Sequence, residues 1–169
     1  MPDFEVISPY APSGDQPEAI DTLVQGLENG IDEQVLLGVT GSGKTQVYMN
    51  LIDRVIADGR QVLVMVPEIS LTPQTQSLFI RRYGRRVAVL HSGLSMGERM
   101  DEWKRIRRGE AGIVVGTRSA VFAPCSNIGL IVMDEEQEHT YKSESSPRYH
   151  ARDVAKFRCA WHKALLLLT

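Results

Sequence analysis

The chain has 169 residues, enough for one domain with a real core, and is 43% apolar and 24% charged. Nineteen Lys+Arg against 21 Asp+Glu leave a net charge of −2, which excludes a basic field over the whole chain and confines any nucleic-acid site to a local patch. Two cysteines, Cys125 and Cys159, exclude a disulfide framework and a four-cysteine zinc site, and point to a reducing compartment, the cytoplasm.

No apolar run reaches the length of about 18 residues that a membrane span needs. The amino terminus, MPDFEVISPY, has neither the basic nor the apolar region of a secretory signal. Helical and strand patterns alternate, which predicts an α/β domain with a mostly parallel sheet. Asp15, with Pro17 and Glu18 behind it, predicts a capping box. The helix it opens carries an apolar stripe of Ile20, Leu23, Val24 and Leu27, and Asn29-Gly30 ends it. Residues 35–37 read as a short buried strand. A Gly-rich loop over 38–45 follows, then a helix to about Asp58, stopped by Gly59.

A second strand is expected at 61–66. A helix opens at Thr72-Pro73 and runs to Tyr83, before a strand at 87–90. Ser95 and Glu98 predict a capping box for a helix ending near Gly109. Strands are expected at 112–116 and 130–133, a polar loop at 138–147, a helix at 149–161 and a last strand at 164–168. A buried strand with nothing after it predicts that a longer protein continues past Thr169.

Gly38-Val39-Thr40-Gly41-Ser42-Gly43-Lys44-Thr45 matches the phosphate-loop pattern in full, in the strand–loop–helix setting that pattern needs. Backbone N–H groups of Gly38, Thr40, Gly41, Ser42 and Gly43 are expected to face the phosphates of ATP or ADP. The helix N-terminus adds partial positive charge there. Lys44 is expected to neutralise the β- and γ-phosphates, and Thr45 to ligate Mg²⁺. Ile131-Val132-Met133-Asp134-Glu135-Glu136-Gln137 supplies the carboxylates that complete such a site. Asp134 is expected to hold the Mg²⁺ shell and Glu135 to polarise the attacking water.

The phosphate loop together with the Asp-Glu-Glu-Gln box resembles superfamily 2 helicases and translocases. From Val39 onward the chain resembles the first motor domain of the primosomal replication-restart helicases, the PriA family. The stretches that carry this are GVTGSGKTQVY, VLVMVPEISLTPQT, VAVLHSGLSMGERMDEW, IVVGTRSAVFAP, LIVMDEEQEHTYK and SPRYHARDVA. The first 38 residues, with FEVISPYAPSGDQPEAIDTLVQGL, instead resemble the excision-repair helicase family of UvrB. That mismatch leaves a hybrid chain, joined near the phosphate loop and without selected activity, as the alternative to a natural motor. A P-loop kinase is the third reading, against which the helicase motifs stand.

The resemblance implies a three-layer RecA-like domain over residues 1–169 that binds ATP or ADP with Mg²⁺. It implies single-stranded or forked DNA as partner, 3′–5′ translocation, and roles in DNA replication restart and repair. Gln16 takes the place of the adenine-reading glutamine and Tyr10 that of the aromatic stacked near the base. Pro67, Glu68 and Leu71 match one DNA-contacting motif; His91 with Ser92, and Gly116 with Thr117 and Arg118, match two more. Ser143 to Arg152 matches an aromatic-rich loop, in which Arg148, Tyr149 and His150 either stack on single-stranded DNA or cap the next helix. Gln137 stands where the family often has His, so it relays hydrogen bonds without titrating. The resemblance also implies a second motor domain that supplies an arginine finger, absent from this chain. The chain alone is therefore expected to bind nucleotide weakly, to hydrolyse it slowly and not to unwind DNA.

The basic runs at 81–86 and 104–108 read as solvated helix ends or, alternatively, as phosphate-tracking patches. Trp103 and Trp161 read as core anchors. The two cysteines read as free thiols.

Overall fold

Parallel strands buried on both faces need helices on both sides, and the described residues supply five. The computed structural model describes residues 14–38 and 43–169. The helices are α1 (Gln16–Glu28), α2 (Lys44–Ala57), α3 (Pro73–Tyr83), α4 (Met96–Arg107) and α5 (Ala151–His162). The strands are β1 (Glu33–Val35), β2 (Gln61–Met65), β3 (Val87–Leu90), β4 (Ile113–Gly116), β5 (Ile128–Met133) and β6 (Leu165–Leu168). They form one sheet in the order β1-β6-β5-β2-β4-β3, and every pair is parallel.

Alternate strand residues face opposite sides, so each buried strand feeds two cores. Val62, Val64, Leu130 and Val132 pack with Val47, Leu51, Ile52 and Val55 of α2 and Phe79 of α3. Leu63, Met65, Ile131 and Met133 pack with Ile106 of α4 and Ala151, Ala155 and Cys159 of α5. The result is the three-layer α/β architecture expected from the sequence. Among the described residues no helix is long and apolar enough to cross a membrane.

Four local expectations are corrected. Asp15 precedes α1 but makes no side-chain cap. Its backbone lies in the helical region, whereas a capping side chain needs extended geometry to reach the N2 or N3 amide. The first strand begins two residues earlier than expected and is not buried: Val35 is 58% exposed, and Leu37, beyond its end, 87%. Among the described residues it is an edge strand paired with β6, in the register Glu33–Leu166 to Val35–Leu168. Trp161 is 76% exposed and Trp103 38%, so neither is a core anchor. The inward face of α5 is made of Ala151, Ala155 and Cys159, small side chains that bring the helix close to the sheet, with Trp161 on the other side.

By contrast, Ser95 and Glu98 form the reciprocal capping box on α4. The basic runs hold the structure together rather than being merely solvated. Arg82 pairs with Asp53 of α2 at 2.5 Å, with both side chains largely buried. Arg105 pairs with Glu102 and donates to the Arg85 carbonyl at 2.6 Å. Cys125 and Cys159 are free and buried, and burial pushes their thiols up to about 11 and about 12. Both stay protonated at neutral pH.

A parallel sheet puts the carboxyl ends of all its strands on one edge, where ligands of such folds gather. That edge receives Gly38 after β1, Pro67 after β2, His91 after β3, Thr117 after β4 and Asp134 after β5. Gly116 closes the approach of β3 and β4 there. A methyl group at this position would run into the Leu90 carbonyl oxygen and the Ala120 side chain. Gly116→Ala should therefore cost about 1–3 kcal/mol of stability by overpacking. Denaturant unfolding with an unchanged midpoint would refute this.

Candidate nucleotide site and adjoining groove

The site begins at the N-terminus of α2. Gly43 precedes the helix with φ +83°, a conformation that side chains strain to adopt. The Gln16 amide packs against its Cα, in the space a side chain would fill. Lys44 Nζ donates to the Gly38 carbonyl at 2.8 Å, across the mouth of the loop. A hollow of about 430 Å³ opens beside these groups, lined by Gln16, Leu36, Leu37, Gly38, Lys44 and Val47. Tyr10, Thr40, Gly41 and Ser42 lie outside the described residues.

The second half comes from the end of β5. The Asp134 N–H donates to the Met65 carbonyl at 2.9 Å, and this keeps the strand end in register with β2. The Tyr141 hydroxyl lies 2.7 Å from the Asp134 carbonyl and 3.0 Å from that of Met65. The Asp134 carboxylate meets one hydroxyl at each oxygen. Tyr48 of α2 donates to Oδ2 at 3.3 Å, and Thr169 donates to Oδ1 at 2.5 Å. The Thr45 side chain, one helical turn earlier on α2, faces the same hydroxyl. Burial, then the nearby Asp134 charge, drive the Tyr48 and Tyr141 hydroxyls well above the usual tyrosine range. Both therefore remain donors.

Glu135 sits at φ +51°, which turns its side chain off the strand line, and its Oε2 accepts from Ser70 Oγ at 3.2 Å. Glu136 points elsewhere, into an ion pair with Arg152. Gln137 is exposed. Thr45 and Asp134 offer hard oxygen donors, the chemistry that suits Mg²⁺. Among the described residues no cluster of three His, Cys, Asp or Glu side chains could cage a metal. Mg²⁺ on a nucleotide needs no such cage, because one or two carboxylates plus phosphate and water complete its shell.

A second hollow of about 310 Å³ lies farther along the same edge. Glu68, Ser92, Thr117 and Arg118 line it together with Arg99, Ser119 and Thr140. Three sequence-predicted motifs therefore converge here. Glu68 accepts from the Ser92 hydroxyl at 2.7 Å. His91 turns onto its own loop, its Nδ1 accepting from the Gly93 N–H at 3.1 Å. Pro67 is buried and accepts from the Ser70 N–H at 2.9 Å, which shapes the turn. Arg118 donates to the Lys142 carbonyl at 2.6 Å, and its guanidinium lies 6.0 Å over the Tyr149 ring. Tyr149 meets Phe122 edge-on, with centroids 5.0 Å apart. Arg148 is exposed, whereas the His150 ring accepts from the Arg152 N–H and caps α5.

Sequence reasoning missed Tyr48, Ser70, Tyr141, Thr169 and Phe122. A signal existed for one of them. Tyr48 follows Thr45 by three residues, which puts both on one helix face.

The DEAD/DEAH box helicase family model matches residues 13–169. The chain is 47% identical over 166 residues to the replication restart protein PriA of Bacillus subtilis (strain 168), covering 98% of this chain and 21% of that protein. Against PriA of Haemophilus influenzae it is 50% identical over 127 residues, 75% of this chain and 17% of that protein. The chain thus spans about a fifth of the length of these relatives. Its fold is similar to a structure of RecG bound to a three-way DNA junction, with a TM-score of 0.67 and 21% identity over 95% of this chain and 21% of that one. It is also similar to the UvsW helicase of bacteriophage T4, with a TM-score of 0.62 and 18% identity over 94% of this chain and 52% of that one.

Proposed function

The chain belongs to the DEAD/DEAH box helicase family, and we propose that it is the ATP-binding first motor domain of a replication-restart DNA helicase. The observation that carries this is the bond between Tyr48 and Asp134, partners 86 residues apart, which docks the acidic box onto the helix that follows the phosphate loop. The likeness to the B. subtilis relative covers 98% of the chain. We therefore read the first 38 residues, despite their likeness to an excision-repair helicase, as native to this motor rather than grafted. The two buried, free thiols fit a cytoplasmic protein.

In this reading Lys44 exchanges the Gly38 carbonyl for the β- and γ-phosphates, and the first amides of α2 face the same charge. Gln16, packed on Gly43, reads the adenine edge, with Tyr10 stacked near the base. Thr45 and Asp134 hold Mg²⁺, which when bound neutralises the phosphate charge. Glu135 takes the proton of the attacking water once it leaves Ser70. Gln137 relays hydrogen bonds from the γ-phosphate side toward the groove.

The groove takes single-stranded DNA. Thr117, Arg99 and Arg118 present a hydroxyl and cations suited to phosphate oxygens, joined by Ser92 once its proton leaves Glu68. Glu68, an anion, serves by holding Ser92 rather than by meeting a phosphate. Tyr149 and Phe122 offer the aromatic faces and Arg148 an exposed cation. His150 serves the helix it caps.

A second motor domain would bring an arginine worth about 10³–10⁵ in rate. This chain alone should therefore hydrolyse ATP slowly, with no stimulation by single-stranded DNA. Robust DNA-stimulated turnover by the purified chain would contradict that. In a protein carrying both motor domains, Glu135→Gln should cut turnover at least about 100-fold while nucleotide still binds. Unchanged turnover would remove Glu135 from its role.

A further inference from the structure

Tyr48 sits where the two halves of the nucleotide site meet. It is 1% exposed, so its hydroxyl has given up water for two protein partners. It lies 3.3 Å from Asp134 Oδ2, and the Thr45 side chain one turn earlier on α2 faces it. A phenol has one proton to give and lone pairs to receive with. Asp134 is a carboxylate and can only accept, so the Tyr48 proton goes there. The Thr45 proton then goes to Tyr48, and the Thr45 lone pairs point away from the phenol.

A threonine oxygen ligates a cation only if its own proton is turned aside. A carboxylate serves best when its rotation is fixed. One buried phenol meets both needs, fixing Oδ2 while Thr169 holds Oδ1, and a phenylalanine of the same shape would leave Oδ2 unheld and the Thr45 proton without an acceptor. We propose that Tyr48 is a positioning residue for the divalent cation of the bound nucleotide, orienting the Thr45 hydroxyl and the Asp134 carboxylate as one oxygen pair. This rests on the reading of the site as a Mg-nucleotide site.

The test is calorimetric titration of this chain with ADP, once with Mg²⁺ and once with a chelator. The variants are Tyr48→Phe and Tyr48→Met, which remove the hydroxyl and keep the bulk. Whichever melts cooperatively is compared with the native chain. Affinity without cation should stay within about twofold of native. The gain in affinity from Mg²⁺ should shrink about tenfold, the size of one hydrogen bond to a charged group. A purely structural tyrosine would change both titrations alike. The same cation-dependent gain in variant and native chains overturns the proposal, and so does a native chain that binds ADP with no gain from Mg²⁺. Failure of the underlying reading looks different: the native chain then binds no ADP at all, or binds it equally well as Lys44→Ala.

Discussion

Lys44→Ala should weaken ADP binding by at least about a hundredfold, the loss of charge-assisted bonds to two phosphates. The same change should leave the fold almost untouched. The Lys44 ammonium bonds the Gly38 carbonyl at the exposed mouth of the loop, and surface contacts of this kind contribute little to stability. Binding and stability are thus separable at this position. Calorimetry reads the first and thermal melting the second. A variant that melts like the native chain yet binds ADP as tightly would show that the phosphates lie elsewhere.

Gln61→Ala should do the reverse, unfolding the chain more easily without touching any group that meets the nucleotide. Gln61 opens β2 at the edge of the sheet away from the site, and its side chain is 7% exposed. Its Oε1 accepts from the Ser126 N–H at 2.8 Å and the Asn127 N–H at 3.2 Å. Its Nε2 donates, at greater length, to the Ile106 and Ala111 carbonyls. One amide therefore ties the end of α4 and the turn before β5 to the central strand. Alanine leaves these backbone groups buried without partners, at about 1–3 kcal/mol for each one fully orphaned. The expected loss is about 3 kcal/mol, since two of the four bonds are short. Gln61→Glu should be no better, because a carboxylate cannot donate to the two carbonyls. A urea midpoint within error of native would refute the ledger for this side chain.

What could be read from the sequence follows from which forces act locally. After Gln61 the run in β2 is apolar without a break, as are those in β4 and β5, the mark of strands covered on both faces, and the structure places all three inside the sheet. The Ser95–Glu98 box is written within four residues and forms as read. Edge positions are harder. Nothing in Glu33 to Leu37 says that the strand lies at the edge of the described sheet, so it was expected two residues too late and too deep. Trp161 misled because size suggests burial, whereas α5 packs through its smallest residues.

The site divides along the same line. The phosphate loop and the acidic box are contiguous motifs and were legible. Their supporting shell was not, because sheet order assembles it. Ser70 reaches Glu135 across 65 residues and Tyr141 reaches Met65 across 76. Thr169 reaches Asp134 because β6 is inserted between the phosphate-loop strand and β5. Phe122 meets Tyr149 only once the turn after β4 folds under the start of α5.

The most direct measurement is a calorimetric titration of ADP and Mg²⁺ into the native chain. The account predicts saturable binding of one nucleotide per chain. No heat of binding from a chain that melts cooperatively would contradict it, leaving a helicase fold whose two half-sites meet without forming a nucleotide site.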